Sequence, residues 1–249
     1  MRINIILNIE AIQGMSELPD KSIDMVFCDL PYRKTACEWD ILIPLDQLWF
    51  QYNRLIKKNG AIVLTASQPF TSMLVMSNLK AWKEEWIWQK PQGTNPLQAR
   101  KAPLRNHESI LVFSNGIPKY NPQIWYSTPY SGFISNTKTV GDIYGNQPSK
   151  HRNNPNGERY PLTIQKFKQD KGLHPTQKPV SLVEYFLKTY SKEGDLILDN
   201  CCGSGTTGVA CKIINRQYIL MDNGKDNRKS SKNKGRFWAD IARERIGDS

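Results

Sequence analysis

The chain has 249 residues, of which 39% are hydrophobic, enough for one large domain or for a domain with an insertion. Its formal net charge of +11 favours an anionic partner, most simply nucleic acid. The 5 cysteines include no Cys-x-x-Cys pair and the 3 histidines are scattered, so neither a disulfide framework nor a metal site is expected. Without a membrane-spanning stretch or a signal peptide, we expect a cytoplasmic protein with reduced thiols and no membrane partner.

The first half of the chain predicts alternating strands and helices. The apolar run Ile23–Cys28 predicts a strand, and apolar residues from Leu45 to Ile56 fall at helical spacing. The cations and glycine of Lys57–Gly60 are expected to end that helix. Further strands are predicted at Ala61–Thr65, Glu85–Gln89 and Ile110–Ser114.

The segment 120–172 is different in character, because it is rich in Asn, Tyr, Ser, Pro, Lys and Gly and shows little periodicity. Such a composition fits a disordered linker, but the segment holds too many aromatic residues for a plain linker. We interpret it as an irregular insertion that becomes ordered on a partner or on the domain.

Regular patterns return in the last third of the chain. Ser181 and Glu184 form a capping box that predicts the start of a helix. The patterns that follow predict strand Leu196–Leu198, helix Thr206–Lys212, strand Tyr218–Met221 and helix Phe237–Ile246. This alternation predicts an α/β fold with a doubly wound, mainly parallel, Rossmann-like sheet.

The tetrad Asp29-Leu30-Pro31-Tyr32 follows a predicted buried strand, which places it at the carboxyl edge of the sheet, where open α/β sheets bind ligands. The Asp29 carboxylate and the Pro31 carbonyl can accept both N–H bonds of an exocyclic base amine, which frees its lone pair for attack. Tyr32 can stack on a base that has left the helix. Asp-x-Pro is also common in ordinary turns, and that alternative stays open.

The second polar turn contains Gly203, Ser204, Gly205 and Thr206 between a predicted strand and a predicted helix. It lacks the spacing of a dinucleotide site and the lysine of a phosphate-binding loop. A close turn without phosphate ligands suits S-adenosylmethionine as the cofactor.

Two acids flank this turn. Asp222 ends the next strand, where an acid can bind both ribose hydroxyls, although an ordinary Asp-Asn turn is the alternative. Asp199 is either a turn former or a contact to the methionine amine. Cys201 and Cys202 have no neighbouring base and are expected to pack under the turn.

Three motifs in this order resemble the β-group amino DNA methyltransferases: Asp29 to Tyr32, then His174-Pro175-Thr176-Gln177-Lys178-Pro179, then Gly203 to Thr207. The string Cys28 to Asp40, with Ser67 to Phe70, resembles phage and prophage adenine-N6 enzymes. The resemblance implies a catalytic half at 1–119, a target recognition insertion at 120–172 and a cofactor-binding half at 173–249.

The resemblance also assigns further residues. The turn His174–Lys178 is similar to one that lies against the cofactor, so Lys178 is a cofactor-binding candidate. Glu10 stands where many relatives carry the acid that contacts the cofactor's adenine. Asp at the catalytic position favours N6 methylation of adenine over N4 methylation of cytosine.

The expected partner is double-stranded DNA. Lys229, Lys232 and Lys234 of the basic loop 224–235, together with Lys90 and Arg105, are the residues expected to bind it. The alternative for the loop is a solvated, tail-like segment. The alternatives for the protein are a cytosine-N4 or RNA methyltransferase and a nucleic-acid-binding relative that has lost methyl transfer.

Overall fold

The computed structural model describes residues 1–31, 42–94, 96–134, 150–170, 177–228 and 231–247. Within these ranges the strands are β1 Ile5–Leu7, β2 Ile23–Asp29, β3 Ile56–Ala66, β4 Trp82–Thr94, β5 Arg105–Phe113, β6 Trp125–Tyr126, β7 Tyr130–Ile134, β8 Lys150–Asn154, β9 Glu158–Arg159, β10 Ile164–Lys166, β11 Leu196–Asp199 and β12 Gln217–Met221. The helices are α1 Ala11–Ser16, α2 Leu45–Leu55, α3 Phe70–Ser77, α4 Val180–Tyr190, α5 Thr206–Ile213 and α6 Trp238–Ile246.

The main element is an 8-stranded sheet with the order β1-β12-β11-β2-β3-β5-β4-β10. Five neighbouring strands run parallel to one another, in the order β1, β12, β11, β2 and β3. β5 runs antiparallel to both of its neighbours, β3 and β4. The prediction of a mainly parallel, Rossmann-like α/β sheet is therefore confirmed. The chain passes from β11 to β12 on one side of the sheet and from β2 to β3 on the other side. The gap between β11 and β2 is therefore the topological switch point.

Hydrophobic cores cover both faces of the sheet, because successive side chains of a strand point to opposite sides. Met25 and Phe27 of β2 belong to the core that packs against α4, α5 and α6. Val26 and Cys28 belong to the core on the other face, with residues of α1, α2 and α3. β2 is thus enclosed on both faces, as its unbroken apolar run predicts.

Two local predictions are wrong. Ser181 and Glu184 do not cap α4: Pro179 is the N-cap residue, and a side-chain oxygen of Asp170 accepts the Val180 amide hydrogen bond at 2.9 Å. Lys57–Gly60 follows the end of α2, as predicted, but β3 begins at Ile56 rather than at Ala61, so these residues form its first part. Non-local pairing explains the second error, because the chain enters the sheet immediately after the helix.

A second compact unit comprises Pro122–Leu162 and lies within the irregular segment 120–172. It contains two short antiparallel pairs, β6 with β9 and β7 with β8. The unit is narrower than the irregular segment, because Ile164–Lys166 pairs with β4 in the main sheet. No helix in the described part of the chain has the length and apolar character needed to cross a membrane.

Candidate active site

The two polar turns singled out in the sequence follow neighbouring strands. β11 and β2 are paired in parallel through Ile197 with Met25 and Leu198 with Val26. Their carboxyl ends, Asp199 and Asp29, therefore lie at the same edge of the sheet, on the two sides of the switch point. The Tyr52 hydroxyl of α2 donates a 2.6 Å hydrogen bond to Oδ1 of Asn200 and joins α2 to the turn after β11.

Asp29, the last residue of β2, is held by donors from two other segments. Thr65 of β3 donates from Oγ1 to Oδ1 of Asp29, and Lys178 Nζ lies 2.5 Å from Oδ2. Burial raises the pKa of the Asp29 carboxyl above its usual value, against the lowering effect of Lys178 and Thr65. Each carboxylate oxygen retains acceptor capacity beyond these bonds.

The other two members of the tetrad are less fully described. Pro31 is half-buried and follows the buried Leu30, whereas Tyr32 lies outside the described residues. The roles of the Pro31 carbonyl and the Tyr32 ring remain predictions.

The turn between β11 and α5 depends on two glycines with left-handed backbone. Gly203 has φ +49° and Gly205 has φ +76°, which few other residues adopt without strain. A Cβ on Gly205 would lie 2.8 Å from the Ala242 Cβ and 3.0 Å from a methyl carbon of Ile246, both on α6. Gly205 therefore allows close packing of α6, and a contact from it to the cofactor stays a prediction.

Ser204 and Thr206 are buried and are bonded to side chains from distant parts of the chain. The Ser204 hydroxyl donates to Oε1 of Gln177 at 3.0 Å. Arg245 of α6 donates from Nη1 to the Ser204 carbonyl at 3.1 Å and to the Thr206 hydroxyl at 3.0 Å. Sequence reasoning missed Arg245, because a cation on an amphipathic helix is usually a solvated residue.

Two acids complete the turn. Asp222 accepts the amide hydrogen bonds of Gly203 and Gly224, both at 2.8 Å, and burial raises the pKa of its carboxyl to about 6. Asp199 accepts from the Cys201 amide at 3.1 Å and from the Thr207 hydroxyl at 2.5 Å, and burial raises its pKa to about 7. Both bonds of Asp199 are to residues that follow it in the turn and in α5, which is typical of a turn former. A contact from Asp199 to the cofactor stays a prediction.

Glu10 lies at the same edge of the sheet, because the Asp222 amide donates to the carbonyl of Leu7 at the end of β1. Its carboxylate caps α1 by accepting the Gln13 amide hydrogen bond at 2.9 Å. Cys202 is buried, and burial raises the pKa of its thiol well above the usual value, so it has the character of a packing residue.

Lys90 and Lys178 occupy positions that sequence reasoning did not foresee. The Lys90 ammonium lies 2.5 Å from Oε1 of Glu108, and its side chain is 10% exposed. Lys178 lies 3.4 Å from Oε2 of the same glutamate, in addition to its bond with Asp29, whereas its contact with the cofactor stays a prediction. A DNA phosphate contact would require Lys90 to leave this largely buried pair, which counts against its predicted contact with DNA. Glu108, which the sequence analysis did not single out, lies between the two lysines with its side chain 13% exposed, in the polar half of β5.

The other basic candidates are at the surface or outside the described residues. Arg105, Lys232 and Lys234 are exposed, and Lys229 lies outside the described residues. The loop that carries the two lysines is closed by the fully buried Asp226, whose carboxylate binds Arg228 and whose amide and carbonyl bond to Arg236 and Gly235. This closure does not fit a solvated tail-like segment.

Comparison with known proteins agrees with this geometry. A family model described as DNA methylase, N6_N4_Mtase, matches residues 23–233. The Type II methyltransferase M.HpaI of Haemophilus parainfluenzae is 26% identical over 242 residues, which cover 87% of this chain and 69% of that protein.

Solved structures show the same fold. The crystal structure of the M1.HpyAVI–SAM complex is 22% identical with a TM-score of 0.62, covering 97% of this chain and 98% of that one. The cytosine-N4-specific PvuII DNA methyltransferase is 16% identical with a TM-score of 0.61, covering 98% and 93%.

Proposed function

We propose that this chain, which belongs to the DNA methylase family, transfers a methyl group from S-adenosylmethionine to the N6 amine of adenine in DNA. The observation that carries this proposal is the pairing of β2 with β11, which brings the Asp29 carboxylate and the glycine turn to one switch point. A carboxylate for the base amine and a cofactor turn are the two parts that such a transfer requires.

The residues around the glycine turn fit the cofactor. Gly203 presents backbone without a side chain, and Asp222 beside it is an acceptor suited to ribose hydroxyls. Glu10 lies at the same edge and is assigned to the adenine end of the cofactor, while Asp199, Ser204 and Thr206 hold the turn. When bound, S-adenosylmethionine supplies an electrophilic methyl group on its sulfonium.

The catalytic work of the chain falls to Asp29. Its carboxylate accepts a hydrogen bond from one N–H of the target amine, and the Pro31 carbonyl accepts the other. These acceptors localise the nitrogen lone pair and stabilise the positive charge that develops on nitrogen during transfer. Tyr32 stacks on the flipped base.

The DNA partner is proposed to be double-stranded. The basic loop with Lys229, Lys232 and Lys234 and the exposed Arg105 are assigned to backbone phosphates, which any sequence offers. The unit Pro122–Leu162 is assigned to base recognition, because it exposes Trp125, Tyr126 and Tyr130.

Methylation of the cytosine N4 amine is the second candidate, since the fold is shared with the cytosine-N4-specific PvuII enzyme. The same acceptor geometry would serve either amine. Adenine is favoured because the resemblance assigns aspartate, rather than serine, to the catalytic position.

Sequencing of methylated bases in DNA from cells that express the chain tests the proposal. N6-methyladenine at a defined sequence is the expected result, absent from cells that carry the empty vector. N4-methylcytosine would favour the second candidate, and unmodified DNA would contradict both.

A further inference from the structure

Gln177 and Lys178 are consecutive residues whose side chains bind the two halves of the proposed site. Gln177 accepts from the Ser204 hydroxyl at 3.0 Å and from Arg245 at 3.2 Å, on the side of the glycine turn. Lys178 lies 2.5 Å from Oδ2 of Asp29, which is 149 positions away in the chain.

Lys178, which is itself buried, is also part of a row of alternating charges whose other members are partly buried. The Lys178 ammonium contacts Asp29 and lies 3.4 Å from Oε2 of Glu108. The Lys90 ammonium lies 2.5 Å from Oε1 of the same glutamate. Only 6% of the Lys178 side chain is exposed, so its charge is compensated by protein groups rather than by water. Removal of one member would leave a buried charge without its partner.

We propose that Gln177 and Lys178 form a positioning strap, in which Lys178 orients the Asp29 carboxylate while Gln177 fixes the glycine turn. The proposal deepens the proposed function and rests on it. In this arrangement Lys178 affects the catalytic step, and Gln177 affects the affinity for the cofactor.

The chemistry of Asp29 explains why a lysine is useful here. Burial disfavours the ionised carboxylate, and the nearby Glu108 adds to this effect. Lys178 opposes both and favours the ionised form, which is the stronger acceptor for an amine N–H. Thr65 holds the other carboxylate oxygen, so the two donors together fix the plane of the carboxylate.

The test compares Lys178→Met with Gln177→Leu by cofactor titration and by the pH dependence of kcat. Lys178→Met is expected to lower kcat roughly 10²-fold and to move the acid limb of the profile upward by about one pH unit. Its cofactor Kd should stay within about threefold of the unchanged chain, below the tenfold that 1.4 kcal/mol represents. Gln177→Leu should weaken cofactor binding about tenfold, because it removes a bond to a charged partner, and should leave the acid limb in place.

Two further variants guard against misfolding, and a third is a matched control. Lys178→Arg keeps the charge and should restore the position of the acid limb. Glu108→Gln removes the acid that opposes Asp29 ionisation and should move the limb to lower pH, opposite to Lys178→Met. Lys57→Met is the matched control, because it removes a cation that lies 2.7 Å from Asp24, which is on β2 as Asp29 is. Its acid limb should not shift.

An unshifted acid limb in Lys178→Met, or a loss of cofactor affinity without a fall in kcat, would overturn the proposal. Activity of the unchanged chain is measured first. Its absence would count against the proposed function, whereas a defect confined to the variants bears on the strap alone.

Discussion

The main-chain amide of Gly203 donates a 2.8 Å hydrogen bond to Oδ2 of Asp222. The acid assigned to the cofactor ribose therefore also closes the glycine turn that follows the neighbouring strand. One carboxylate connects the ends of β11 and β12, and its removal affects both parts of the proposed cofactor site.

Asp222→Ala should weaken binding of S-adenosylmethionine at least tenfold. Charge-assisted hydrogen bonds to the ribose hydroxyls are worth roughly 1.5–3 kcal/mol each, and the turn loses its acceptor as well. Isothermal calorimetry measures the affinity, with the surface variant Asp20→Ala as control. Unchanged affinity in Asp222→Ala would remove this residue from the cofactor site.

The pH dependence of cofactor affinity follows from the same carboxyl. Burial raises the Asp222 pKa to about 6, and the ionised form is the one that accepts hydroxyl hydrogen bonds. Affinity should therefore be full above this pKa and decrease as the pH falls through it. In Asp222→Asn the decrease near this pH should disappear; persistence of an identical decrease would assign it to another group, such as Asp199.

Gly205→Ala should destabilise the fold through backbone strain and through contact with α6. The left-handed φ of +76° alone costs roughly 1–2 kcal/mol for a residue with a Cβ. Gly194 is the matched control, since it has φ +78° but open space around the Cβ position. Urea unfolding should show a larger loss of stability for Gly205→Ala than for Gly194→Ala, and equal losses would mean that α6 adapts freely.

The alternation of strands and helices was predictable, because buried parallel strands are continuous apolar runs that end in polar turns. The runs before Asp29 and Gly203 therefore located the two turns of the candidate site, and membership of the DNA methylases and the mainly parallel α/β sheet are confirmed. β1 and β10 were missed because strands of three residues carry no periodicity.

Contacts between distant segments could not be predicted. Nothing local shows that Lys90 pairs with Glu108, that Arg245 reaches the glycine turn, or that Gly205 packs against α6. Each of these depends on which elements the sheet order brings together, and local patterns predict only the class of sheet.

The triple variant Lys229→Gln, Lys232→Gln, Lys234→Gln should weaken binding to all duplexes alike. Its log–log salt slope should flatten by about 0.9 for each phosphate that is no longer neutralised. Fluorescence anisotropy on methylatable and random duplexes measures both effects. The exposed lysines Lys80, Lys83 and Lys192 supply a control with the same change in charge, and equal slopes in the two triple variants would mean that the loop does not touch DNA.

Alanine substitution of the exposed aromatics Trp125, Tyr126 and Tyr130 should change which sequences are methylated. Base stacking is worth roughly 1–3 kcal/mol per base in single strands, and base contacts rather than phosphate contacts carry specificity. Methylation mapping should show relaxed or altered sites at an unchanged salt slope. An unaltered site preference would exclude these three side chains from base recognition.

Substitution of Asp29 is the sharpest test of the proposed methyl transfer. The purified chain is incubated with DNA and methyl-labelled S-adenosylmethionine, the DNA is digested to nucleosides, and the labelled product is identified for the unchanged chain and for Asp29→Ala. We predict label in N6-methyladenine, with a rate reduced by about 10²–10³ in Asp29→Ala and a cofactor affinity that is nearly unchanged. Label in another base, or an Asp29→Ala variant that keeps most of its activity, would contradict this mechanism.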